Sequence, residues 1–273
     1  MDYFWLSVAA AVAGAINSVA GGGTLVTFPT LLWALGGGVN AQAAVLANTT
    51  STVALWPGSL GGMWGYRREF PGTERWLRLL LLPSLVGGSL GAWLLVTLPA
   101  ESFKRLVPWL ILTATLLFLL QPWIARRTGI GRPHEAPSLA VTAAIIGFQF
   151  LVAVYGGYFG AGIGILMLSA LAMTGLGDIH RMNALKTLFG TAINGLAVVI
   201  FVLDGQVAWK YVVPMALASI LGGFLGAAGA RRLNRNLVRL VVVAIGLSLA
   251  AYYFWRTYGT AAGPAAVESR QPE

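Results

Sequence analysis

The chain has 273 residues, of which 57% are hydrophobic and only 10% charged, with a mean hydropathy of +0.76. A soluble domain of that composition would lack polar surface, so the chain is expected to be an integral membrane protein. The absence of cysteine excludes disulfides and thiolate chemistry, two histidines leave little for a metal centre, and no cofactor or metal is expected.

In chain order, about ten apolar stretches read as helices near the roughly 20 residues that a span requires. They are residues 3–20, 24–36, 41–64, 77–98, 103–123, 138–155, 158–174, 182–203, 211–230 and 236–255. The second is too short to cross alone and joins the first through Gly21, Gly22 and Gly23. The seventh follows the sixth through Gly156 and Gly157. Both pairs read as broken or re-entrant helices meeting inside the protein. The expected fold class is therefore all-α and polytopic, with membrane repeats over 1–124 and 138–256. A cytoplasmic linker over 125–137 joins them, and a disordered tail over 257–273 follows.

The halves repeat one another. Ala20 to Leu31 and Phe159 to Ala170 each set a glycine cluster in an apolar run, and Asn48-Thr49 falls opposite Lys186-Thr187. Gly87-Gly88-Ser89-Leu90-Gly91-Ala92 reads against Gly222-Gly223-Phe224-Leu225-Gly226-Ala227. If the stretches alternate, Arg67, Arg68, Arg75, Arg78, Arg126, Arg127, Arg132, Arg181, Arg231, Arg232, Arg235 and Arg239 share one side. Lys104, Arg105, Lys210, Arg256 and Arg270 lie on the other. The first side is then cytoplasmic and both termini are outside. An odd number of segments per half makes the second repeat inverted. The net charge of +9 is thus mainly a topology signal, and its scatter over short loops argues against a nucleic-acid partner.

A helix start inside the protein presents free N–H groups and a partial positive charge, and glycine lets an anion approach them. Gly21, Gly22, Gly23 and Thr24 form one candidate cradle, and Gly160, Gly162 and Ile163 the other. Close helix packing is the alternative use of these glycines. Asn17 and Ser18 precede the first break. Asn48, Thr49, Thr50, Ser51 and Thr52 form a polar run within an apolar segment, where such groups need a partner or a wet cavity; bonds to their own helix carbonyls are the alternative. Lys186 is the one charge not placed in a loop. It either faces a ligand or snorkels to the interface, and Asn183, Thr187 and Asn194 extend a polar strip on its helix. No carboxylate lies mid-segment, so a buried proton relay is unsupported. Trp56 is the one tryptophan away from a segment end.

The triple glycine followed by Pro29, Asn48-Thr49, Asn183-Ala184-Leu185-Lys186 and the paired Gly-Gly-x-Leu-Gly-Ala motifs make the chain resemble the TauE/SafE (TSUP) family of sulfite exporters. The likeness runs from about Ala10 to Trp255. It implies a multi-pass cytoplasmic (inner) membrane permease for small sulfur-containing anions such as sulfite or sulfonates, with a lipid bilayer and a small anion as partners and no enzymatic activity. The expected mechanism is alternating access, one repeat rocking against the other around a single central site. An anion channel is the alternative and a membrane-embedded enzyme a remote one. The sequence leaves the oligomeric state open, a homodimer included.

Overall fold

The computed structural model describes residues 1–19, 22–36, 40–127, 137–229 and 235–259. Among the described residues it contains ten α-helices and no strand. They are α1 (Asp2–Val19), α2 (Thr24–Ala34), α3 (Ala41–Gly65), α4 (Glu74–Thr97), α5 (Ala100–Arg127), α6 (Leu139–Tyr158), α7 (Ile163–Ala172), α8 (Ile179–Leu203), α9 (Trp209–Gly229) and α10 (Arg235–Phe254). A π turn over Trp255–Gly259 carries helical structure past residue 257, and the rest of the tail and residues 128–136 of the linker lie outside the described residues.

Each helix matches one apolar stretch, because in lipid the backbone must satisfy its own hydrogen bonds and the helix is the segment that does so alone. Polar side chains set the starts: Asn40 accepts from Gln42 N at 3.0 Å, and Asp178 accepts from His180 N at 2.8 Å. Asp178 is thus an N-cap. Among the described residues α4, α6, α8 and the Ala100–Leu120 part of α5 are long and apolar enough to span. Trp5, Trp33, Trp64, Trp93, Trp109, Trp123, Trp209 and Trp255 are exposed, whereas Trp76 is buried and Trp56 half-buried.

One boundary differs from the sequence reading. α6 runs straight through Gly156 and Gly157, and the break falls at Gly160–Gly162, where both named glycines have positive φ (+84° and +79°). Gly156 and Gly157 are instead packing positions: a side-chain carbon at Gly157 would fall on the Gly88 carbonyl of α4. Glycine within a membrane helix marks a close neighbour as readily as a break.

The short helices return to the end their partners came from. Tyr3, at the start of α1, has its ring 5.6 Å from that of Tyr211, whose hydroxyl donates to Ala34 O at the end of α2 (3.3 Å). α1–α2 is therefore a hairpin that enters and leaves at one end of the bundle, here the Lys104 end. α6–α7 is its counterpart from the opposite, Arg67 end, which makes the repeats inverted.

The packing follows this symmetry by exchange. α1 lies along α9 and α6 lies along α4, so the first helix of each repeat packs on the fourth of the other; α3 on α9 matches α8 on α4, α3 crosses α8, and α5 pairs with α10. The Gly-Gly-x-Leu-Gly-Ala motifs mediate the exchange. A side chain at Gly87 would strike the Phe150 carbonyl of α6, and one at Gly222 the Ala11 carbonyl of α1.

Candidate anion site at two helix breaks

Both breaks rest on the middle of α5. Gly22 packs on the Phe118 ring, and a Cβ at Gly162 would sit 3.5 Å from Ala114 Cα. The two differ in how they treat the amides exposed where a helix starts.

At the first break the side chain of Asn17 turns back along the chain. Its Oδ1 accepts from Gly22 N at 2.8 Å and from Gly23 N at 2.7 Å, so a carboxamide oxygen stands where an anion's oxygen would. Gly22 has φ +125°, which an L side chain rarely adopts. Thr24 follows, half-buried, as the first residue of α2. Thr27 Oγ1 donates to Gly23 O (3.3 Å) and shares a 2.6 Å hydrogen bond with Ser51 Oγ of α3. Gly21 and the side chain of Ser18 lie outside the described residues.

At the second break the position equivalent to Asn17 is Gly156. It has no side chain to turn back, and its place is hemmed by Ile163 and Ile193. α7 has no side-chain cap, and among the described residues the amides of Gly162, Ile163 and Gly164 have no hydrogen-bond acceptor. Gly160 N donates to Tyr155 O, and the Tyr155 hydroxyl donates to Ala161 O at 2.8 Å. Asn194 Oδ1 of α8 lies 3.9 Å from where a Gly160 Cβ would be.

Asn48, Thr49, Thr50 and Ser51 of the α3 polar run are buried and joined to other elements, whereas Thr52 is half-buried and bonds within its own helix. Asn48 Nδ2 donates to Tyr158 O at 3.1 Å, Thr49 Oγ1 donates to Gln206 O, Thr50 Oγ1 accepts from Ala208 N at 3.0 Å, and Thr52 Oγ1 donates to Asn48 O at 3.0 Å. These groups fasten α3 to α2, to the end of α6 and to the turn before α9. Asn48 Oδ1 is buried and has no partner among the described residues.

α3 and α8 cross antiparallel. Trp56 Nε1 donates to Thr191 O at 3.0 Å, its ring lies 3.2 Å from where a Gly195 Cβ would be, and a Cβ at Gly62 would meet Thr187 Cγ2 at 3.5 Å. The crossing therefore sits near Trp56 and Asn194. Asn48 is eight residues from it toward the Lys104 end, and Lys186 eight residues from it toward the Arg67 end. At 1.5 Å per residue they are about 24 Å apart along the bundle. The structure does not bring them into one site. Asn183 Nδ2 donates to Ile179 O at 2.9 Å within α8, and beside Lys186 a Cβ at Gly190 would meet nothing within 4 Å.

Sequence reading missed the place of Trp56 at the crossing and the capping role of Asn17. The second was detectable: asparagine five residues before a glycine-led helix start is a side chain able to reach back to it. It also missed Gln149 on α6, whose Nε2 donates to Ser84 Oγ of α4 at 2.9 Å with both side chains buried. A lone glutamine in an apolar run signals such a partner.

A family model described as "Sulfite exporter TauE/SafE" matches residues 6–253. A "Probable membrane transporter protein" of Haemophilus influenzae is 28% identical over 241 residues, covering 88% of this chain and 89% of that protein. "Probable membrane transporter protein ORF9" of Sinorhizobium sp is 28% identical over 256 residues, covering 90% of each. "Probable membrane transporter protein YfcA" of Escherichia coli K12 is 25% identical over 251 residues, covering 92% of this chain and 88% of that protein. No solved structure matches the chain.

Proposed function

Because the chain belongs to the sulfite exporter TauE/SafE family, we propose that it is a carrier of small oxyanions, sulfite and sulfonates foremost, and that the anion sits at the second helix break. The observation that supports this is the contrast between the breaks. At the first, Asn17 Oδ1 takes the Gly22 and Gly23 amides and, among the described residues, only that of Thr24 lacks an acceptor, while the second offers those of Gly162, Ile163 and Gly164 with no acceptor and glycine in place of the asparagine. Unpaired amides and the positive end of α7 in a water-poor interior favour a negative ligand. Asn194 brings its carboxamide to the same break, where turning it end for end would let Nδ2 donate to the oxyanion, and Trp56 packs across the crossing. Lys186 and Thr187 line the approach from the Arg67 end, where a cation draws anions in without occupying the site.

The Arg67 end is the cytoplasmic one in this reading, by its excess of arginine, with both termini outside and the chain in the cytoplasmic (inner) membrane. Helix packing that shuts the seam toward the Lys104 end supports carriage over a pore, and saturating flux separates the two. The test is thermal unfolding of the detergent-purified protein with sulfite, thiosulfate, sulfoacetate, taurine, sulfate or chloride, since a bound ligand raises stability by mass action. A rise confined to one sulfur oxyanion, followed by saturable flux of that anion into proteoliposomes, is the expected result. No rise and no flux with any of them overturns the reading.

A further inference from the structure

The helices group by packing differently from the way they group by sequence. α1, α2, α3 and α9 pack among themselves, as do α4, α6, α7 and α8. Each group takes three helices from one repeat and the fourth from the other. The seams inside the groups are made backbone to backbone. A side-chain carbon at Gly14 or Gly222 would strike a carbonyl across the α1–α9 seam, and one at Gly91 or Gly157 a carbonyl across α4–α6. Helices seated this closely cannot slide without first separating. A buried hydrogen bond pins each group further: Gln149 Nε2 to Ser84 Oγ in one, and Ser219 Oγ to Ala54 O (3.1 Å) in the other.

Between the groups the only extended helix pairing among the described residues is α3 on α8, while α5 touches α3 and α7 and pairs with α10 as a shared support. That single seam is uneven. Toward the Lys104 end it is shut, with Asn48 Nδ2 on Tyr158 O and the Phe28 and Phe159 rings 5.7 Å apart. Toward the Arg67 end it is held by lighter contacts, Thr191 Oγ1 on Ser59 O (3.4 Å) and a Gly62 Cβ position 3.5 Å from Thr187 Cγ2, with open space beside Gly190 and no hydrogen-bond or ion-pair partner for Lys186 among the described residues.

We infer that the moving bodies are these two packing groups, α1–α3 with α9 and α6–α8 with α4, hinged along the α3–α8 crossing, and not the two sequence repeats. The inference rests on the carrier reading, and it places the anion at the seam that moves. Asn194 and Gly160 belong to one body and Trp56 to the other. Rotation about the crossing that parts Asn48 from Tyr158 at the Lys104 end tightens the lighter contacts at the Arg67 end.

The chain has no cysteine, so pairs of spin labels can be placed by double substitution at exposed sites of the full-length protein and their distances measured in liposomes with and without sulfite. Trp93→Cys with Leu139→Cys spans the two repeats within one body. Trp64→Cys with Trp93→Cys lies in one repeat but in two bodies. The inference requires a single unchanging distance for the first pair and two distances, or a shift, for the second. The reverse pattern would make the sequence repeats the moving units and overturns it. So does the same behaviour in both pairs, whether fixed or spread. These distances do not depend on flux, so movement of the second pair without transport of any tested anion would fault the carrier reading and leave the bodies standing.

Discussion

The two helix breaks are copies of one device used in different ways. Both turn on glycines with positive φ, both begin a short helix in the interior, and both rest on α5. At the first the chain supplies its own acceptor, because Asn17 holds the Gly22 and Gly23 amides. At the second the equivalent residue is Gly156, and the first amides of α7 are left without one. A duplicated fold gives two potential anion cradles, and one side chain is enough to turn one into a structural joint while the other stays open to a ligand. The contrast also explains why symmetry of sequence need not mean symmetry of binding.

The largest expected effect tests the tightness of the first break. A side chain at Gly23 would run into the Ala13 carbonyl of α1. Gly23→Val should therefore cost at least about 3 kcal/mol, at the upper end of overpacking penalties. Gly162→Ala at the second break meets only ordinary contact with Ala114, and should lose about 1–2 kcal/mol from its left-handed backbone alone. Thermal unfolding in detergent checks both, and equal losses would remove the claim that the first break is packed more tightly than the second.

Next in size is Asn17→Ala, which leaves two buried amides without an acceptor and should cost about 2 kcal/mol. The comparison predicts more than a loss. With Asn17 gone the first break resembles the second, so sulfite should stabilise this variant more than it stabilises the wild type. Asn194→Leu should behave oppositely, keeping its melting temperature within a few degrees while losing the sulfite response. A variant of Asn17 that sulfite does not rescue would show that an anion cannot replace the carboxamide.

The helices were legible because lipid imposes length and apolarity on every span, and the ten stretches carry both. The pairing of the repeats was legible from glycine spacing. What each glycine meets was not, since Gly156 and Gly157 look like a break in sequence and are a seam against α4 in space. The Asn48–Thr52 run was readable as polar groups needing partners. That Tyr158 O, Gln206 O and Ala208 N are those partners depends on contacts more than a hundred residues away in sequence. A single site joining Asn48 to Lys186 fails for a geometric reason: inverted repeats carry equivalent residues to opposite halves of the bundle, so matching positions diverge from the crossing rather than converge on it. Trp56 and Asn194 lie at the crossing, and Asn48 reaches the second break through Tyr158 O, so Lys186 is the residue left outside a shared site.

The smallest effect concerns Lys186, and its size is what makes it informative. Lys186 lies eight residues along α8 from Asn194, about 12 Å. At that distance a unit charge acting through an effective dielectric near 20 contributes about 1.4 kcal/mol, a factor of about ten in anion affinity at most, and salt reduces it. Lys186→Met should thus weaken the sulfite response by less than about tenfold at low ionic strength, with the difference from wild type shrinking as inert salt is added. Lys186→Arg should restore it, since only charge is being used. A much larger loss that salt does not diminish would mean that the ammonium touches the anion, which would move the site from the second break to the inner half of α8.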